Sequence, residues 1–107
     1  MVSINDWARV IKQWREKNGF ETPSDLECQS NRNIMLGKLM LVVTEISEAA
    51  EAVRKKDISN FREELTDAIW RILDICETTG MDVNFWMEIV YNKNMVRPKL
   101  HGKKTSL

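Results

Sequence analysis

The sequence predicts an all-α fold, a four-helix bundle completed by association with a second copy of the chain. Three observations predict it. Apolar residues recur at three- and four-residue intervals with no competing strand-like alternation. Punctuation is sparse: the prolines are Pro23 and Pro98, and the glycines Gly19, Gly37, Gly80 and Gly102 fall mostly where helices could end. The chain has 107 residues, enough for one domain (residues 1–107) with a modest core, so self-association is expected from the outset.

The first helix is expected to start near Ser3, whose hydroxyl can cap it. It puts Trp7, Val10, Ile11 and Trp14 on one face and stops at Gly19. A polar connection follows over residues 20–31. The second helix, from about Asn31 to Lys55, places Met35, Leu39, Val42, Val43, Ile46, Ala49, Ala50 and Val53 on one side, with Leu41 and Ala52 off it. Around residues 39–43 it is apolar nearly all the way round and needs cover on more than one side, which a partner subunit would supply. Lys55-Lys56-Asp57 makes a turn into a third helix, from Ser59 or Asn60 to Thr79, with Phe61, Leu65, Ala68, Ile69, Ile72 and Cys76 aligned. Asp82 can cap a fourth, carrying Val83, Trp86, Ile89 and Val90 toward Asn94. Residues 93–107 form a basic tail.

The 16 basic and 16 acidic residues cancel, so no global field draws the chain to nucleic acid or to a membrane, and neither partner is expected. The charges are nevertheless segregated. Lys93, Arg97, Lys99, Lys103 and Lys104 follow one another without an acid, while the middle of the chain holds most carboxylates. The longest fully apolar run, Leu39 to Val43, is far short of the roughly 20 residues that span a bilayer. Cys28 and Cys76 are far apart, and the first twenty residues are too charged for a signal peptide, so a soluble cytoplasmic protein is expected.

Within the run LVVTEISEAAEAV, Glu45 and Glu48 are three residues apart, and Glu64 and Asp67 repeat that spacing in the third helix. Such pairs are neighbours on a helix surface, about 5–6 Å apart at Cβ. The short turn between the two helices should set them antiparallel and bring the pairs face to face. Both first carboxylates border the apolar face, where four acids repel unless a cation is bound. With no histidine or thiolate beside them, Mg²⁺ and then Mn²⁺ are the natural candidates. Ordinary solvated helix faces carry glutamates too, and that is the reading for Glu51 and Glu63, which lie farther from the core. His101 is the only histidine, so di-iron, zinc and Cys-His or Ser-His chemistries are poorly supported. No P-loop or GxGxxG turn is present.

Glu45-x-x-Glu48, then Glu64-x-x-Asp67, in a short helical chain resembles the MazG-like, all-α nucleoside triphosphate pyrophosphohydrolases. The tail Asn94-Met-Val-Arg97-Pro98-Lys-Leu-His101-Gly102-Lys103-Lys104 is similar to the N-x-x-R-P-x-x-H-G-K-K ending of small members of that family. The resemblance implies that Glu45, Glu48, Glu64 and Asp67 ligate Mg²⁺, with Glu48 the choice for activating water. It implies cleavage of a nucleoside triphosphate between the α and β phosphates, to monophosphate and pyrophosphate. It also implies a dimer or a dimer of dimers. Asn94 and Arg97 match substrate-contacting positions, and Lys93, Lys103 and Lys104 are further phosphate contacts. Many relatives carry a lysine where this chain has Val90, a gap that Lys93 would have to fill. Lys38 is either a triphosphate contact or a surface lysine. Trp7 is the candidate for stacking on the base, Trp14 is expected in the core, and Trp70 at a subunit contact.

Two rivals remain at this level. A non-enzymatic helical dimer could bind nucleic acid or a protein partner through the basic tail, with the acids merely solvated. A degenerate relative could bind nucleotide or metal without turnover.

Overall fold

The computed structural model describes residues 3–97. The expectations for Lys99, His101, Lys103 and Lys104 lie outside the described residues. Four helices form: α1 Ile4–Lys17, α2 Gln29–Arg54, α3 Ile58–Thr78 and α4 Val83–Val96. Among the described residues there is no strand, so the all-α expectation holds.

Local chemistry sets the helix ends. Ser3 caps α1 in a reciprocal box: its hydroxyl accepts from the Asp6 amide, and the Asp6 carboxylate accepts from the Ser3 amide. Three helices close with the same pair of crossed bonds. The Gly19 and Phe20 amides donate to Glu16 and Arg15, those of Lys56 and Asp57 to Val53 and Ala52, and those of Gly80 and Met81 to Glu77 and Cys76. This closure needs a left-handed residue at its centre, which Gly19 (φ 70°) and Gly80 (φ 71°) adopt freely and Lys56 (φ 60°) adopts under strain. Asp57 then caps α3 by accepting from the Asn60 amide at 3.0 Å. One residue thus ends the α2 closure and starts α3, which makes the connection tight and the two helices an antiparallel hairpin.

α2 begins two residues earlier than expected, at Gln29. Its cap position, Cys28, makes no side-chain cap bond; Arg32 instead donates to the carbonyls of Leu26 and Glu27 and ties down the preceding turn. α1 runs back along α3, joined to it by Trp14 against Trp70 at one end. At the other, Asn5 donates to Asp82.

The core is small: Ile11, Leu73, Cys76 and Val83 pack together, with Ile4 and Trp70 against them. The buried faces are turned from the expected ones. In α1 they are Ala8, Ile11 and Arg15, leaving Trp7, Val10 and Trp14 exposed; in α2 they are Met35, Glu45, Ala49 and Ala52, leaving Leu39, Val43 and Ile46 exposed. In α3, Leu73 is buried while Ile69 and Ile72 are exposed. The reason is that a helix apolar on several sides has no unique inward face; small residues allow the closest approach of α3, and Ala49 and Ala52 are chosen over the bulkier side chains. In α4 only Val83 is buried, because α4 packs on α1 and not along the hairpin.

Between α1, α2 and α3 lies a buried ionic cluster. Arg15, 2% exposed, donates from Nη1 to Asp74 Oδ1 at 2.6 Å and to the Thr78 hydroxyl at 2.7 Å, and from Nη2 to Glu77 Oε1 at 2.6 Å. Lys12 approaches Glu77 and Lys38 approaches Asp74, each at 3.8 Å. Lys38 is therefore held by α3, not left as a simple surface lysine.

Candidate metal centre

The hairpin brings Glu45, Glu48 and Glu64 together. One carboxylate oxygen from each lies within 4.8 Å of the others. Glu45 is buried, Glu64 half-buried and Glu48 exposed, so the cluster runs from the core edge out to solvent. Asp67, one turn along α3 from Glu64, is exposed; it is coupled to Glu64 by a hydrogen bond but stands outside the three-oxygen set.

Two devices offset the repulsion among these acids. The first is a shared proton: Glu64 is pushed up to about 7, mainly by its hydrogen bond with Glu48. Partial dehydration, the negative charges of Glu48 and Glu45, and the bond to Asp67 raise it further. The second is Arg71, whose Nε donates to Glu45 Oε2 at 2.9 Å. Glu45 is the most buried of the three and is the one that receives a full positive charge.

The donor set fits a hard divalent ion. It consists of carboxylate oxygens alone, on two helices, close enough to converge on one point, and the crowding that raises the Glu64 carboxyl is what a bound cation would relieve. Among the described residues no histidine or thiol belongs to it, so the softer metals find no preferred ligand among them.

Beside the carboxylates is a recess of about 270 Å³ lined by Trp14, Glu45, Asp67, Trp70 and Arg71. Trp14 meets Trp70 edge to face, with centroids 5.4 Å apart and planes at 86°. Trp14 is 38% exposed at the recess instead of in the core, whereas Trp70, expected at a subunit contact, is half-buried and packs on it. Trp7 lines a different hollow, an apolar one of about 520 Å³ with Ile4, Ile11, Thr66, Ile69, Trp70 and Leu73. Trp70 is common to both.

Lys93 and Asn94 are exposed near the end of α4, and Arg97 is its C-terminal cap. The recess is lined from α1, α2 and α3 only, and these three residues are not among its lining. Arg71 was missed in the sequence. Its signal was a position one turn beyond Asp67 on the same face, which the paired-acid pattern alone did not single out.

A helical hairpin with paired carboxylates facing each other defines an all-α protein with an acidic, oxygen-only centre. The family model for the MazG nucleotide pyrophosphohydrolase domain matches residues 36–101, more than half of the chain, and the chain belongs to that family. The matched region takes in α2 from residue 36 onward, all of α3 and α4, and every carboxylate of the centre. It makes the protein a hydrolase of the class that acts on nucleotide pyrophosphates. No curated protein and no solved structure matches the chain.

Proposed function

We propose that the protein is a Mg²⁺-dependent pyrophosphohydrolase that converts a nucleoside or deoxynucleoside triphosphate to the monophosphate and pyrophosphate. One observation carries the reading: within the matched domain, Glu45, Glu48 and Glu64 converge to within 4.8 Å. Mg²⁺, or Mn²⁺ in its place, would be held by these three with Asp67 adjoining, and would supply charge neutralisation of the triphosphate and acidification of the attacking water.

The chain's own residues do the rest. Glu48, the most exposed of the three, takes the proton of the water whose oxygen attacks the α phosphorus, and the bond to the bridging oxygen breaks to release pyrophosphate. Glu64 and Asp67 fix the α3 side of the centre. The Trp14 and Trp70 rings give the base an aromatic wall one step from the carboxylates. Lys93, Asn94 and Arg97 serve the phosphates from the α4 of a second copy, since α4 of the same chain packs on α1. That arrangement makes the working unit a dimer or a dimer of dimers in the cytoplasm, clearing nucleotides from the pool.

Pyrophosphate release from a panel of NTPs and dNTPs, with and without Mg²⁺, tests the proposal. The parent should be active on at least one substrate, and Glu48→Ala should lower kcat about a hundredfold or more. Asp67→Ala should lower activity and raise the Mg²⁺ requirement. A parent that releases no pyrophosphate on any substrate, or both variants at full activity, would sink it.

A further inference from the structure

We infer that Arg71 reads the nucleobase, selecting one that presents two adjacent hydrogen-bond acceptors. The inference rests on the proposal that the substrate is a nucleotide. It starts from the geometry of one side chain. Arg71 is anchored to Glu45 through Nε, and among the described residues no hydrogen bond leaves its Nη1 or Nη2 groups. A guanidinium carries five N–H donors in a rigid planar fork, so the anchor uses one and leaves four. The side chain is 40% exposed and lines the recess beside the carboxylates.

The remaining walls say what the fork meets there. They are two indoles, Trp14 and Trp70, and the carboxylates Glu45 and Asp67. The two indoles offer flat apolar faces to a planar base, and the guanidinium fork offers donors to acceptors on its edge. The volume, about 270 Å³, holds a ring system of that size. The fork matches paired acceptors such as O6 and N7 of guanine or O2 and N3 of cytosine. Adenine sets an amino donor beside N7, and thymine and uracil set an N–H between their carbonyls, so each leaves one arm of the fork facing a donor. If Arg71 only neutralised Glu45, its loss would weaken all four bases alike.

Calorimetric binding of dGMP, dCMP, dAMP and dTMP in Mg²⁺ separates the two. The parent should favour dGMP or dCMP over dAMP and dTMP, and which of the two wins tells purine from pyrimidine. In Arg71→Gln the preference should shrink by about tenfold. Arg71→Lys should lose it as well while keeping a cation at Glu45, with both variants unfolding at temperatures near the parent's. No preference in the parent, or one that survives in Arg71→Gln, overturns the inference. Monophosphate binding needs no turnover. A parent that shows the preference but releases no pyrophosphate defeats the proposed activity alone; an active parent whose Arg71→Gln loses kcat/KM equally on every dNTP defeats the base reading alone.

Discussion

Glu64 joins a structural fact to a measurable titration. In the metal-free protein its carboxyl is raised to about 7 against an ordinary 4.5, because it shares a proton with Glu48. Between those two values the folded chain keeps a proton that the unfolded chain has lost, so this group lowers stability as pH rises through the window and contributes no further change above it. A divalent ion needs the ionised form. We predict that Mg²⁺ affinity climbs as pH rises toward about 7 and then levels, with a proton released on binding below that point. Calorimetry in buffers of different ionisation enthalpy counts that proton, and Glu64→Gln should abolish the count. An affinity flat from about pH 5 to about pH 8 would contradict the shared-proton account. The acids themselves were legible in the sequence because a three-residue spacing is a local property of one helix. Arg71 was not, because its partner Glu45 lies 26 residues away and is fixed only when α2 and α3 meet at a particular register.

At the scale of elements, the helix ends were readable and the packed faces were not. Ser3, Gly19, Gly80 and Asp82 act through bonds to residues within a few positions, and such signals survive without tertiary context. Inward faces depend on what a helix packs against. Arg15 shows the difference: no local signal in the sequence marks it for burial, yet it is only 2% exposed, clasped by Asp74, Glu77 and Thr78 of α3. Its removal would leave two acids facing Lys12 and Lys38 at 3.8 Å only, with no direct hydrogen bond to replace it. Arg15→Ala should therefore cost about 3–5 kcal/mol of stability, read as a lowered urea midpoint with α1 released first in hydrogen exchange. Arg15→Met, which restores volume without the charge, should remain well below the parent, because Asp74 stays buried and loses its partner. A midpoint unchanged in both variants would mean that the clasp contributes nothing.

At the scale of the whole molecule, the chain exposes many large apolar residues, and we propose that a second copy covers part of them. The radius of gyration is 16.4 Å, against about 13 Å for a compact domain of this length. The exposed residues are not scattered. On α2 the face packed on α3 is turned roughly 70° from the centre of the apolar stripe, so Leu36, Leu39, Met40, Val43 and Ile46 form a second apolar side, each at least 45% exposed. On α4, Phe85, Trp86, Met87, Val90, Tyr91 and Met95 are open as well. Patches of this kind mark association surfaces, and a standard interface of about 1,600 Å² would cover the α2 side. Sedimentation should therefore give a mass of two or four times the 12.5 kDa chain. Val43→Glu should shift it toward monomer while circular dichroism keeps the helical signal. Activity should fall with the shift even though Val43 is outside the carboxylate set, because the α4 residues proposed to hold the phosphates reach the centre only from another copy. A parent that sediments as a monomer and is fully active would break that link, and would require α4 of the same chain to swing onto the hairpin instead.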